Sequence, residues 1–315
     1  MKRKEERLAT GVRAVRRVFV NQKGRPRAVW LLALGYALYL GWAYAASYGL
    51  ARGFSALFEA WGLTQANLHL APAWARFVAR YYGSGISVVS SRGIIGITCL
   101  LMRLMPREQA RPRPRWGAFG GGVLTGLGIA VLFAVLFTLT DSVRAARALS
   151  QSRLSREMVV LLVVYFFASL AEECFDRAFV LGVVADSLPS WRGRTPAACA
   201  VSALMLWLTT GALNLGAIGS LNVLLFGGLC ALLHLYGQAA FSLGLRFAWS
   251  WATASLVAFP GGNTATAPLM AFYHVSDALM TGGNRGLICG LGMTVMLGLL
   301  FFIVWRRAKN THQGG

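Results

Sequence analysis

The sequence predicts an all-α protein, a polytopic membrane helical bundle of about eight transmembrane helices with both termini in the cytoplasm. The 315 residues are 56% hydrophobic and only 13% charged, whereas a soluble domain is about a quarter charged. Apolar runs of about 20 residues, the length that crosses a bilayer, recur along the whole chain. The 31 Lys and Arg residues outnumber the 11 acids and concentrate between those runs.

The first segment, residues 1–27, is a basic stretch ahead of the first apolar run and is predicted to be cytoplasmic. Leu8, Val12, Val15 and Phe19 recur at helical spacing beside several arginines, which is typical of an interfacial helix on anionic lipid. A solvated basic tail that only orients the protein explains the same residues equally well. Because no apolar run with a small-residue cleavage site follows within signal-peptide distance, we expect no cleaved signal peptide.

Residues 28–306 are predicted to form one transmembrane bundle, followed by a cytoplasmic tail at residues 307–315. The third apolar segment, GAFGGGVLTGLGIAV, carries small residues that let helix backbones approach closely. Basic residues before the first segment and after the second, fourth and last segments favour both termini inside, although the arginines of residues 142–156 do not fit this rule. The predicted segments are residues 28–50, 84–105, 117–138, 158–184, 196–215, 221–236, 241–258 and 286–305.

Charge and composition argue against several other classes of protein. The basic excess could indicate nucleic-acid binding, but these residues flank apolar segments. We therefore expect membrane lipids as partners, the cell membrane as the location and no nucleic acid. The five cysteines lack paired spacing, and the four histidines show no ligand pair. No disulfide framework, metal site or cofactor is predicted.

The fourth segment contains the stretch AEECFDR, whose charges are expensive in hydrocarbon. Glu173 and Arg177 are four residues apart with the acid first, the order that favours an ion pair on a helix. Glu172 and Asp176 have the same spacing and repel each other unless a cation lies between them. Adjacent acids at membrane depth favour a functional role over a purely structural polar network. Two arginines of other segments could balance the acids: Arg92 and Arg246.

The EExxxR spacing of this stretch resembles a motif of the CAAX protease and bacteriocin-processing family, also called the abortive-infection family, of intramembrane proteases. SALMLWLTTGALN is similar to the family's second motif segment. LNVLLFGGLCALLHLYGQAAFSLGLRFAWSWA is similar to the glycine-bearing helix and the third-motif helix, and LMTGGNRGL to the loop after them. The resemblance extends from about Gly117 to the C-terminus and implies a helical membrane fold that hydrolyses peptide bonds.

The resemblance implies that Glu172 is a general base that activates water. In the family, a histidine of the second motif assists this glutamate, and a histidine and an asparagine of the third motif hold the oxyanion. Threonine replaces the first histidine here, and arginine and serine replace the other two residues. Threonine cannot share a proton near neutral pH, and arginine can donate hydrogen bonds but cannot act as a base. The candidate catalytic residues are Glu172, Glu173, Arg177, Thr210, Arg246 and Ser250.

Three functions remain open. The first is a membrane-embedded endopeptidase that acts on a membrane-bound or prenylated peptide or protein. The second is a catalytically impaired relative that binds such a partner or regulates it. The third is a small ion or proton transporter that uses Glu172 and Glu173. His234, at the end of the sixth segment, is interpreted as a core or interface histidine and not as a substitute for the missing ones.

Overall fold

The computed structural model describes residues 27–63, 68–103, 116–146, 155–187, 191–259, 268–275 and 278–313. These residues form a helical membrane bundle, as the sequence predicts. Five helices in them are long and apolar enough to cross a membrane. The predicted interfacial helix of the N-terminal segment lies outside the described residues. The five apolar helices are Ala28–Ala60, Ala73–Arg103, Gly117–Leu139, Arg156–Ser187 and Ala212–Leu235.

Eight long helices occur within the described ranges, one for each predicted apolar segment. The first two extend well beyond their predicted segments at the loop that joins them. The last continues to Gln313, so the predicted C-terminal tail begins as the final turns of that helix. The helices are α1 (Ala28–Ala60), α2 (Ala73–Arg103), α3 (Trp116–Leu139), α4 (Arg156–Ser187), α5 (Trp191–Thr209), α6 (Gly216–Leu235), α7 (Ala239–Trp251) and α8 (Leu291–Gln313).

A small sheet departs from the all-α prediction. Its strands are β1 (Val143–Ala145), β2 (Val257–Ala258) and β3 (Met270–His274). Strand β3 lies in the centre, antiparallel to β1 and parallel to β2. Because the predicted seventh segment ends in β2, its last two residues are strand and not helix. The pairing satisfies backbone groups of two connections, between α3 and α4 and between α7 and α8, that would otherwise lack hydrogen-bond partners.

Glycines bring α3 and α7 into backbone contact, as the small residues of the third segment predict. A Cβ atom on Gly122 would meet the carbonyl oxygen of Phe241, and one on Gly244 would meet the carbonyl oxygen of Phe119. Such close approach is the usual basis of helix association in lipid. The contact fixes the position of α7 and therefore of Arg246, which lies two residues after Gly244.

The middle of α4 is a π-helix, Glu173–Leu181. Such a turn places one more residue between hydrogen-bonded groups than an α-helix does, and π-helical turns occur often at functional sites. The carbonyl oxygen of Asp176 accepts a hydrogen bond of 2.8 Å from the Ser202 hydroxyl of α5. Phe175 and Phe179 pack toward α1, where Tyr39 lies against the Phe175 ring with centroids 4.7 Å apart. The charged stretch is thereby held between α1 and α5.

Candidate functional site

A charged cluster lies at the meeting of α4, α6 and α7. The side chains of Arg177 and Asp176 are 0% and 1% exposed, whereas those of Glu172 and His234 are 21% and 24% exposed. The cluster is therefore closed at its centre and reaches the surface at two places. Its members are Glu172, Glu173, Asp176, Arg177, His234 and Arg246.

Glu172 of α4 forms an ion pair with Arg246 of α7. Arg246 also lies over the Phe226 ring of α6, with its guanidinium carbon 5.6 Å from the ring centroid. The expected meeting of charges from the fourth and seventh segments is therefore present. Because a guanidinium stays charged at all relevant pH values, Arg246 is a permanent cation that occupies one side of the Glu172 carboxylate.

Glu173 receives three polar neighbours from three helices. His234 Nδ1 of α6 lies 3.0 Å from Glu173 Oε1, and the Ser242 hydroxyl of α7 donates to Oε2 at 3.1 Å. Arg177 Nε of α4 lies 3.9 Å from the same Oε2 atom. Glu173 is thus the residue that ties α4 to α6 and α7.

Asp176 and Arg177 form the buried centre of the cluster. Arg177 Nη1 donates to Asp176 Oδ2 at 3.4 Å and lies 3.5 Å from the carbonyl oxygen of Glu172. Four buried polar atoms of the cluster have no hydrogen-bond partner among the described residues: Asp176 Oδ1, Arg177 Nε, Arg177 Nη2 and Arg246 Nη1. Asp176 is not among the candidate catalytic residues predicted from the sequence, although its side chain is less exposed than that of Glu172 or Glu173.

Tyr39 of α1 lies on the Glu172 side of the cluster. Its hydroxyl lies beside the Thr209 hydroxyl and close to the charges of Glu172, Asp176 and Arg246. The threonine of α5 next to the cluster is therefore Thr209 and not the candidate Thr210.

Two candidate residues and one expected charge partner lie apart from the cluster. Thr210 is exposed, and its hydroxyl donates to the Leu206 carbonyl oxygen of its own helix at 2.7 Å. Ser250 is half-buried one turn after Arg246, and its side chain makes no hydrogen bond to the cluster within the described structure. Arg92 is exposed with its guanidinium over the Phe167 ring at 5.0 Å, so it does not balance the acids. Its guanidinium therefore packs on an aromatic ring of α4 and not on the charged cluster.

Sequence reasoning missed the roles of His234 and Ser242. His234 does lie at a helix interface, as interpreted, but its partner Glu173 was not identified. One usable signal was the four-residue spacing of Ser242 and Arg246, which puts both on one face of α7. His234 lies just before the turn that begins this helix. A polar face and a nearby histidine could have indicated a shared acidic partner.

The cluster combines ion pairs with an acid–histidine pair, which suit it to binding charge and to holding or moving a proton. No group of three His, Cys, Asp or Glu side chains that could hold a metal ion occurs in the described part of the chain. No family model matches this chain, and no curated protein or solved structure matches it either. The family resemblance rests on the motif residues.

Proposed function

We propose that this chain is a catalytically impaired relative of the CAAX protease family, which binds a membrane-bound or prenylated peptide or protein without cutting it. The observation that carries the proposal is the ion pair between Glu172 and Arg246. In the family, the first glutamate of the EExxxR motif activates water. The ion pair with Arg246 removes this role from Glu172.

The chemistry of hydrolysis requires a carboxylate that can accept a proton from water. Arg246 stabilises the negative charge of Glu172 and lies where the reacting water would have to sit. Thr210, in the position of the missing histidine, donates its hydroxyl proton to Leu206 and cannot take a proton from Glu172 near neutral pH. These substitutions favour a closed, salt-bridged core over a catalytic one.

In the topology that we propose, the chain crosses the cell membrane eight times and both termini lie in the cytoplasm. If the chain crosses eight times from a cytoplasmic N-terminus, α3 and α7 end on the outer side of the membrane. Helix α8 then begins on that same side. Strand β1 follows α3, β2 follows α7, and β3 precedes α8. The pairing of these three strands in one sheet supports the arrangement, because it requires the α3–α4 connection and the α7–α8 connection to lie at the same end of the bundle.

The binding surface that we propose is the exposed edge of the cluster at Glu172. Tyr39 and Thr209 flank this carboxylate and offer hydroxyl groups to a partner's backbone or polar side chains. In hydrocarbon such hydrogen bonds contribute roughly 1 kcal/mol each. A membrane peptide that approaches between α1 and α5 would meet these three side chains first.

Cleavage and capture assays together test the proposal. Purified protein in lipid vesicles should leave a membrane-anchored reporter peptide uncut, whether residue 172 is glutamate or alanine. A photo-crosslinking residue at Thr209 should capture a membrane peptide, whereas one at Leu124, on the lipid-facing side of α3, should capture only lipid. Reporter cleavage by the wild type that Glu172→Ala abolishes would refute the impaired-enzyme proposal.

An active endopeptidase is the second candidate, because Glu173 and His234 form an acid–histidine pair. A carboxylate on Nδ1 orients an imidazole so that Nε2 can act as a base. If this pair activates water, reporter cleavage should fall at least tenfold in His234→Gln and stay unchanged in Thr210→Ala. Cleavage that survives His234→Gln would contradict this candidate.

A further inference from the structure

We propose that the charged cluster binds one exchangeable proton, which balances its charge and reaches it from water through His234. Binding of this proton is separate from peptide binding or hydrolysis. It depends only on the charges and contacts of the cluster.

The charge count of the cluster is the first argument. Three acids (Glu172, Glu173, Asp176) face two arginines (Arg177, Arg246), so full ionisation leaves a net charge of −3 + 2 = −1 when His234 is neutral. An uncompensated charge in the interior of a membrane bundle is strongly unfavourable. One proton removes it.

An unpartnered buried atom is the second argument. Asp176 Oδ1 has no hydrogen-bond partner in the described structure, although the side chain is only 1% exposed. Buried carboxylate oxygens are normally satisfied, since an unmet acceptor keeps its full desolvation cost. A proton bound on this carboxyl removes its negative charge, which lowers the desolvation cost of an oxygen that lacks a partner.

His234 provides the route for exchange. Its ring is 24% exposed, whereas Glu173 beside it is 8% exposed. The 3.0 Å contact joins Nδ1 to Glu173 Oε1, so the ring can take a proton from water at Nε2 and release one at Nδ1. Histidine is the side chain best suited to such transfer near neutral pH. Asp176 lies three residues after Glu173 in the same π-helix, so a proton that reaches Glu173 is within one helical turn of Asp176.

Within the part of the chain that the structure describes, the other groups that face the cluster do not supply the missing charge. Helix α2 faces α4 with the apolar Ile94 and Leu101, and its Arg92 is exposed. The remaining polar or titratable neighbours are neutral hydroxyl or thiol groups near pH 7. They are Tyr39 of α1, Ser202 and Thr209 of α5, Cys230 of α6 and Ser242 of α7.

Spectroscopy on the full chain in lipid nanodiscs tests the proposal at pH 7. Histidine nitrogen NMR reports whether the His234 ring carries one or two protons, with the signal assigned by its loss in His234→Gln. Infrared difference spectra report a protonated carboxyl group by its shift in heavy water. We expect the wild type to show either a doubly protonated His234 or one protonated cluster carboxyl.

Two variants of one ion pair make the test specific to charge balance. Glu172→Gln leaves two acids and two arginines, a count of −2 + 2 = 0, and should lose the extra proton. Glu172→Gln combined with Arg246→Gln leaves −2 + 1 = −1 and should retain it. Glu157→Gln, on the same helix but paired with Arg80 outside the cluster, should match the wild type.

A neutral His234 together with no protonated carboxyl in the wild type would overturn the proposal, and this measurement requires no substitution. Loss of the proton in the double variant but not in Glu172→Gln would overturn it as well. Neither result depends on whether the protein binds or cleaves a peptide.

Discussion

The contribution of a charged residue to the stability of this bundle depends on whether it pairs with a buried charge. Arg177 has no exposed side-chain surface and is the only cation beside both Asp176 and Glu173 among the described residues. Its charge is therefore required to compensate buried acids. Arg92 carries the same charge on a neighbouring helix but is exposed.

We expect Arg177→Met to destabilise the protein by about 3–5 kcal/mol, because it leaves acids buried without their cation. Arg92→Met is the same substitution at an exposed arginine, and it should change the free energy of unfolding by less than about 0.5 kcal/mol. Unfolding in mixed micelles, followed by circular dichroism, measures both. Equal effects of the two substitutions would contradict the central role of Arg177.

Ser242 and Ser250 provide a matched pair about two turns apart on the helix α7. The Ser242 hydroxyl donates to the Glu173 carboxylate at 3.1 Å, a charge-assisted hydrogen bond worth about 1.5–3 kcal/mol. Ser250 has no hydrogen bond to the cluster within the described residues. We expect Ser242→Ala to lower the unfolding temperature clearly and Ser250→Ala to leave it almost unchanged, as thermal unfolding in the same detergent would report.

At the scale of elements, the contact between α3 and α7 controls the geometry of the cluster. The backbones meet at Gly122 and Gly244, where each glycine faces a carbonyl oxygen of the other helix. Gly128, further along α3, has no atom within 4 Å of an added Cβ. The two glycines of α3 therefore predict opposite outcomes for the same substitution.

Gly122→Ala should cost about 1–3 kcal/mol, since the added methyl group forces the two backbones apart. Gly128→Ala should be neutral or stabilising by up to about 1 kcal/mol, because alanine favours the helix. The variants can be compared by thermal unfolding. A Gly122→Ala protein as stable as Gly128→Ala would show that α3 and α7 do not pack through this glycine.

The sequence predicts these elements well where their cause is local. Eight apolar segments correspond to eight helices, and the small residues of the third segment do form a close contact. The π-helix is not predictable in this way, because no spacing of residues in AEECFDR distinguishes a π-helical turn from an α-helical one. The pairing of Glu172 with Arg246 followed from the need to balance buried charge. The contact between His234 and Glu173 depends on how α6 is placed, which no local pattern specifies.

For the whole molecule, the proposed eight crossings assign the sheet to the outer face and the end of α8 to the cytoplasm. Tyr273 on β3 and Arg306 on α8 are both exposed. In a background without native cysteines, Tyr273→Cys in intact cells should react with a membrane-impermeant maleimide, and Arg306→Cys should react only after lysis. Labelling of both in intact cells would contradict a cytoplasmic C-terminus and a crossing by α8.

The length of α1 links the site to the thickness of the membrane. Its 33 residues span about 50 Å, whereas the hydrocarbon core is about 30 Å thick. The first half of α1 packs on α4 and carries Tyr39 beside Glu172. A long helix adapts to a thinner bilayer by tilting, and tilt at this helix moves the tyrosine relative to the acid. Lipid chain length should therefore change the distance between Tyr39 and Glu172, and with it the exposure of the Glu172 carboxylate.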